Sequence, residues 1–306
     1  MCGLPYRRER EADVTLDHRD ASVTLGASEG LDGTPAAKKS QLMLEVIDKG
    51  SCSEAHPVPL LFVHGGWHGA WCWEHFLDFF ADAGYRAVAM SLRGHGSSPT
   101  AKPLHKVSIA DYIDDLRSVA DELGGGPVLI GHSLGGFVIQ RYLETRGAPA
   151  AVLVGSVPPQ GVLRLAVRVW RRRPSMTMEA WSDPTLLKFL ATPALTREYL
   201  FCADTPEAVV ESCRQRAGAE SIRAAMTDPM VRRVRTRRVT TPILVLGAEH
   251  DGFVSASDVR ATARAYRTEP EFFPMGHNMM LEPGWADVAQ RIHEWLQTRD
   301  LAGRPR

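Results

Sequence analysis

Short apolar runs alternate with amphipathic stretches along most of this chain. Leu60 to Val63, Arg86 to Met90, Pro127 to Ile130, Ala151 to Val154 and Pro242 to Leu246 are brief and nearly free of polar interruption, the pattern of strands covered on both faces. Gln41 to Ile47 suits an edge strand, and Glu271 to Phe273 a further short one. Between them apolar residues recur at helical spacing over Trp71 to Ala83, Phe137 to Leu143, Val259 to Tyr266 and Ala286 to Gln297. The clearest case is Ile109 to Leu123, where Ile109, Tyr112, Ile113, Leu116, Val119, Ala120 and Leu123 share one side. Strand followed by helix, repeated, predicts an α/β fold: a mainly parallel sheet covered by helices on both faces, with function at the carboxyl ends of the strands.

The alternation stops after Val154 and resumes at Pro242. Residues 156 to 240 hold helix-like pieces broken by Pro158, Pro159, Pro174, Pro184, Pro193, Pro206 and Pro229, the pattern of an inserted helical lid. The expected organisation is a flexible extension over 1–38, a core made of 39–155 and 241–300, and the lid over 156–240. At 306 residues and 44% hydrophobic composition the chain can bury a core of that size. Formal neutrality argues against a dedicated nucleic-acid binder. Five cysteines, Cys2, Cys52, Cys72, Cys202 and Cys213, make no C-x-x-C pair and read as thiols of a reducing compartment. The N-terminus reaches no apolar run long enough for a signal peptide, and no segment has the length of a membrane span, so a cytoplasmic location is expected. No cofactor or metal is expected, and the oligomeric state is left open.

The chemistry centres on Gly131-His132-Ser133-Leu134-Gly135, a G-x-S-x-G bend between a buried strand and a helix. A serine there is forced into a strained conformation that lifts its hydroxyl out of the sheet, and small neighbours let the helix pack close. A neutral hydroxyl is a poor nucleophile, so Ser133 needs a histidine base and an orienting carboxylate. His277 follows the EFF strand and Asp251 the ILVL strand, giving the order Ser, Asp, His that goes with an elbow nucleophile. Glu249 and Asp258 are rival carboxylates, although Asp258 suits a helix cap. The amides of Gly66 and Leu134 are the expected oxyanion donors. Trp67, His132, Trp170 and Trp181 are the expected substrate contacts. Because a triad uses one histidine, a structural role is the plainer reading of His64, His95 and His132, while His68 and His250 stay open.

Five motifs in order, FVHGG, SLRGHGSS, GHSLGG, GAEHD and MGHNMMLEP, give residues 58 to 298 a resemblance to the α/β-hydrolase superfamily, serine esterases and lipases in particular. HGGWHGAW is similar to the small esterases and lyases related to plant methyl esterases and hydroxynitrile lyases. The RGHG loop resembles broader esterase, lipase and cofactor-free haloperoxidase groups. The resemblance implies a Ser-His-Asp hydrolase acting on a small carboxylic ester of short-to-medium acyl length. A lyase or haloperoxidase-like enzyme on the same triad, or a non-catalytic receptor on the scaffold, is the alternative. Epoxide hydrolases and dehalogenases of this superfamily place Asp where this chain has Ser133.

Charge is segregated. Residues 156 to 240 carry fifteen Arg and Lys against eight Asp and Glu, clustered at Arg164, Arg168, Arg171 to Arg173 and again from Arg232 to Arg238. We read this as a solvated basic face that docks on an acidic core, with attraction of an anionic substrate or a lipid surface as the alternative. Trp170, Met176, Met178, Trp181, Phe189, Leu190 and Phe201 are candidates for an apolar acyl pocket.

Overall fold

The strands settle into one mostly parallel sheet. A computed structural model describes residues 43–124, 126–299 and 301; the expected 1–38 extension lies outside them, as do the side chains of Ala180 and Trp181. The strands are β1 Val46–Lys49, β2 Leu60–Val63, β3 Ala87–Met90, β4 Val128–His132, β5 Ala151–Val154, β6 Ile243–Ala248 and β7 Pro270–Phe273. Their order is β1-β3-β2-β4-β5-β6-β7, and the β1–β3 pair alone is antiparallel. The helices are α1 Glu74–Asp82, α2 Ile109–Glu122, α3 Ser133–Tyr142, α4 Leu163–Arg172, α5 Pro174–Ser182, α6 Pro193–Leu200, α7 Glu207–Arg216, α8 Asp228–Val231, α9 Ala256–Tyr266 and α10 Trp285–Gln297.

The pleat divides the core. Leu61 and Val63 of β2 join the apolar cluster that holds residues of α2, α3 and α9, whereas Leu60 and Phe62 join that of α1 and α10. Both faces are therefore buried, as the uninterrupted apolar runs require. Each fully buried Leu or Phe contributes roughly 1.5–3 kcal/mol. On the α1 side Phe62 packs on Trp73, Phe76 and Phe80 with ring centroids 5.1, 6.3 and 5.8 Å away. α2 begins at a capping box of Ser108 with Asp111, and α9 at one of Ser255 with Asp258.

Two local expectations shift. The edge strand runs over Val46–Lys49 rather than across 41–47: Glu45 O still accepts Ser91 N–H at 2.9 Å, but Glu45 N–H is taken by Ser98 Oγ at 2.8 Å and its carboxylate accepts from Ser91 Oγ at 2.5 Å and Ser97 N at 3.2 Å, all in the loop after β3. Residues 41 and 42 lie outside the described ones. The 71–83 helix divides into a 3-10 turn over Ala70–Trp73 and α1, since the chain makes a tight turn after Gly69 before it enters the regular helix.

Between β5 and β6 the described residues carry α4 to α8 and no strand. The second half of this segment is tied to the core: Gly218 N–H donates to Trp67 O at 2.8 Å, Ser221 Oγ to Val107 O at 2.6 Å, and Asp228 accepts from Ile109 N at 2.9 Å. Its basic residues divide. Arg168 pairs with Asp258 at 2.7 Å and Arg216 with Glu74 at 2.6 Å, both on the core, while Arg173, Arg197 and Arg214 pair with Glu198, Glu207 and Glu211 inside the segment. Among the described residues Arg164, Arg171, Arg232 and Arg233 make no ion pair, so docking on the core accounts for only part of the charge.

Candidate active site

The strand ends gather the chemistry. Ser133 follows β4 directly and has φ +49°, a left-handed conformation that costs a non-glycine residue about 1–3 kcal/mol. The first turn of α3 packs against the end of β2 so closely that a Cβ on Gly135 would lie 2.3 Å from His64 O. The Ser133 hydroxyl makes no hydrogen bond to any described residue. Leu134 N–H lies in the first turn of α3, where helix geometry leaves amides without an intrahelical acceptor.

His277, after β7, and Asp251, after β6, meet through Nδ1 and Oδ2 at 2.7 Å, and their side chains are 2% and 1% exposed. The other carboxylate oxygen accepts Phe253 N–H at 2.8 Å and Val254 N–H at 2.7 Å. A carboxylate that accepts from three donors is held in place, and as the acceptor at Nδ1 it sets the His277 tautomer with the proton on that nitrogen, leaving the Nε2 lone pair to face the site. The rivals are elsewhere: Glu249 is exposed, and Asp258 is committed to the Ser255 cap and Arg168. Gly155, with φ +50°, carries the end of β5 past this pair, and a Cβ there would sit 3.5 Å from His277 Nδ1.

Three further buried histidines lie around these residues. His64 accepts from Leu92 N–H on Nε2 at 3.0 Å and donates from Nδ1 to Gly65 O at 2.7 Å. His68 donates from Nδ1 to Gly66 O at 2.6 Å and accepts from Asn278 Nδ2 at 3.1 Å, which ties the Gly66 peptide to the residue after His277. His132 donates from Nε2 to His277 O at 3.0 Å, its ring 4.6 Å from that of His277. Burial holds all three neutral: it lowers His64 and His132 well below the ordinary range and His68 to about 4, with neighbouring histidines adding to the shift. His132 is thus a buried tether for His277, which corrects its expected place among the substrate contacts.

Trp170 also departs from expectation. It is 43% exposed on α4, because the buried side of that helix is formed by Ala166 and Val169 instead. The Trp181 side chain lies outside the described residues. Trp67 has φ +67°, and its ring lies 5.6 Å from Phe253 and 6.2 Å from Phe189. Tyr199 stacks on Phe253 at 4.8 Å, and Phe253 meets His277 edge-on at 5.6 Å. Trp67, Phe189, Tyr199 and Phe253 thereby form an aromatic wall beside the His277–Asp251 pair. His250 is exposed and lines an open cleft of 1040 Å³ between α6, the following loop and Pro274, which includes none of Ser133, Asp251 and His277.

Sequence reasoning missed Glu220. It is 1% exposed, packs on Gly66, accepts from Tyr112 Oη at 2.8 Å and Ser221 N at 2.6 Å, and approaches His95 Nε2 at 3.2 Å. The His95 approach has the distance of an ion pair but not the angle of a hydrogen bond. Burial, the largest influence, acts to lower His95, but Glu220 and the backbone groups of Arg93 and Leu92 together outweigh it, and the imidazole is raised above its ordinary value. Nothing in the polar loop around Glu220 signals this, since its partners lie about a hundred residues away. Asn278 and Tyr199 were equally silent.

The sequence pattern of the alpha/beta hydrolase family matches residues 60–291, most of the chain and all of the strands from β2 to β7. The chain belongs to the α/β-hydrolase family. This α/β-hydrolase is 38% identical over 105 residues to a non-heme haloperoxidase of Rhodococcus erythropolis, covering 33% of this chain and 38% of that protein. It is 37% identical over 107 residues to a bifunctional esterase/perhydrolase of Acinetobacter calcoaceticus, with the same coverage. The match thus spans little more than a third of the length of these relatives. The fold is shared with a thermophilic esterase of Thermogutta terrifontis, at TM-score 0.66 and 23% identity over 86% of this α/β-hydrolase and 96% of that chain.

Proposed function

We propose that the protein hydrolyses small carboxylic esters through an acyl-enzyme on Ser133, with His277 as base and Asp251 as its orienting carboxylate. The observation that carries this reading is the buried 2.7 Å contact between His277 Nδ1 and Asp251, at strand ends neighbouring the strained Ser133 bend. His277 Nε2 takes the serine proton as Oγ adds to the ester carbonyl, and the N–H groups of Gly66 and Leu134 receive the oxyanion. Collapse expels the alcohol, protonated by His277. Water, deprotonated by His277 in turn, then releases the acid and restores Ser133.

The segment over 156–240 acts as a lid. Phe189 and Tyr199 come from it, and with Trp67 and Phe253 they offer the acyl group an aromatic wall. Each buried methylene is worth about 0.8 kcal/mol, so short-to-medium apolar acyl chains are preferred over acetate. p-Nitrophenyl esters of rising acyl length test hydrolysis and pocket size together; no hydrolysis at any length contradicts the reading. The names of the two relatives favour a second reading, in which hydrogen peroxide replaces water at the acyl-enzyme and yields a peracid. Peracid formation from the same esters and added peroxide, lost in Ser133→Ala, supports it.

A further inference from the structure

Helix α4 does not have the two faces of an ordinary surface helix. At about 100° per residue its side chains fall into three sectors. Ala166 and Val169 are buried, Arg164, Arg168, Arg171 and Arg172 occupy the opposite flank, and Leu163, Val167 and Trp170 at spacing i, i+4, i+7 form a third strip in solvent. Leu163 is 58% exposed, and Trp170 adds the largest ring. The strip continues beyond the helix. The chain just before α4 lies against residues 229 to 234, with Val234 N–H donating to Pro159 O at 2.9 Å and Gly161 pressed on Pro229 O, which brings Met230 and Val231, 38% and 72% exposed, to the same end. Arg232 and Arg233 follow and are exposed. Burial of the core sector explains Ala166 and Val169, and pairing with Asp258 explains Arg168. Arg172 reaches Glu198 at 3.9 Å, but none of this explains an apolar strip bordered by Arg164 and Arg171, which make no ion pair among the described residues.

From this juxtaposition we propose that the α4 face, with Met230 and Val231, is a docking surface for an anionic lipid bilayer. Aliphatic side chains and a tryptophan seat at the boundary between headgroups and acyl chains, while guanidinium groups beside them meet lipid phosphates. Nucleic acid would satisfy the arginines and leave Leu163, Val167, Met230 and Val231 unused. A second copy of this surface would bring like charges together. The helix lies in the headgroup plane and spans nothing; no helix among the described residues is long and apolar enough to cross a membrane.

Flotation of the full chain with phosphatidylcholine vesicles, with and without phosphatidylglycerol, tests the proposal. Binding is expected only with phosphatidylglycerol and is lost at high salt. Arg164→Gln/Arg171→Gln should lower the partition coefficient about 30-fold, at roughly fivefold per basic residue, and Leu163→Ser/Val167→Ser by at least about tenfold. Both variants should keep the wild-type circular dichroism and the wild-type rate on a water-soluble ester, so loss of docking is separated from misfolding and from any failure of the hydrolase reading. Equal recovery with and without phosphatidylglycerol, or variants that float like wild type, overturns it. So does a concentration-dependent dimer in sedimentation velocity that the Leu163→Ser/Val167→Ser change dissolves, or variant-sensitive binding to duplex DNA without binding to vesicles.

Discussion

Asp251→Asn isolates one part of the proposed mechanism. In the native protein Oδ2 receives the His277 Nδ1 proton at 2.7 Å, and Oδ1 receives Phe253 N–H and Val254 N–H. Asparagine can keep its carbonyl oxygen on the two amides, so the loop after β6 retains its shape. Its NH2 then faces His277 Nδ1, which must turn from donor to acceptor. The ring proton moves to Nε2, and the base that should take the serine proton is lost. The imidazolium formed in the transition state also loses its counter-charge. Together these should lower kcat by about 10⁴-fold, against about 10⁶-fold for loss of the nucleophile or base, with KM changed little. Steady-state kinetics on a p-nitrophenyl ester read both parameters, and circular dichroism checks the fold. Glu249→Gln, at an exposed carboxylate, should stay within about twofold of wild type. A rate for Asp251→Asn within about threefold of wild type, or a severe loss in Glu249→Gln, refutes the assignment.

Acid should unfold this protein through its buried histidines. His64, His68 and His132 are depressed, so below about 6.5 the unfolded chain binds protons that the native state refuses. The contribution of these three is therefore full above about pH 6.5 and falls as pH drops from there toward 4 for His68, by about 1.4 kcal/mol per pH unit for each group; urea midpoints measured across this window should fall steeply, and a flat profile would contradict the burial. His95 works in the opposite sense and higher in pH, since its raised value gives stability that is lost as pH rises through the folded value. Glu220→Ala strands His95 and Tyr112 in the core and should cost about 3–5 kcal/mol in urea denaturation; a change below about 1 kcal/mol would mean that water replaces the carboxylate. In the ester series, kcat/KM for a chain several carbons long should exceed that for acetate more than tenfold, and equal rates from acetate to long chains would remove the aromatic wall from acyl selection.

What was legible follows from how local each signal is. β2 and β5 begin and end where their apolar runs do, because a strand covered on both faces needs an uninterrupted run and loop polarity marks its ends. Ser133, Asp251 and His277 stand out as positions for the same reason, each lying just past such a run. That His277 and Asp251 touch depends on β6 and β7 being neighbours, which the alternation predicts. Contacts from the 156–240 segment are different. Glu220 reaches Tyr112 across 108 positions, and no periodicity registers such a pairing. Trp170 misled because a two-faced helix puts its largest apolar residue inward, whereas α4 has a second apolar strip outside. His132 carried both a structural reading and a place among the substrate contacts, and only the long-range contact that hands its proton to the buried carbonyl of His277 favours the first.

Everything proposed for the reaction requires an acyl group to reside on Ser133 during turnover. Rapid acid quench of the enzyme with a p-nitrophenyl ester, followed by peptide mass mapping, tests it most directly. An acyl mass is expected on the peptide that holds Ser133 and none in a folded Ser133→Ala variant. An acyl mass on another residue, or undiminished turnover by that variant, would contradict it.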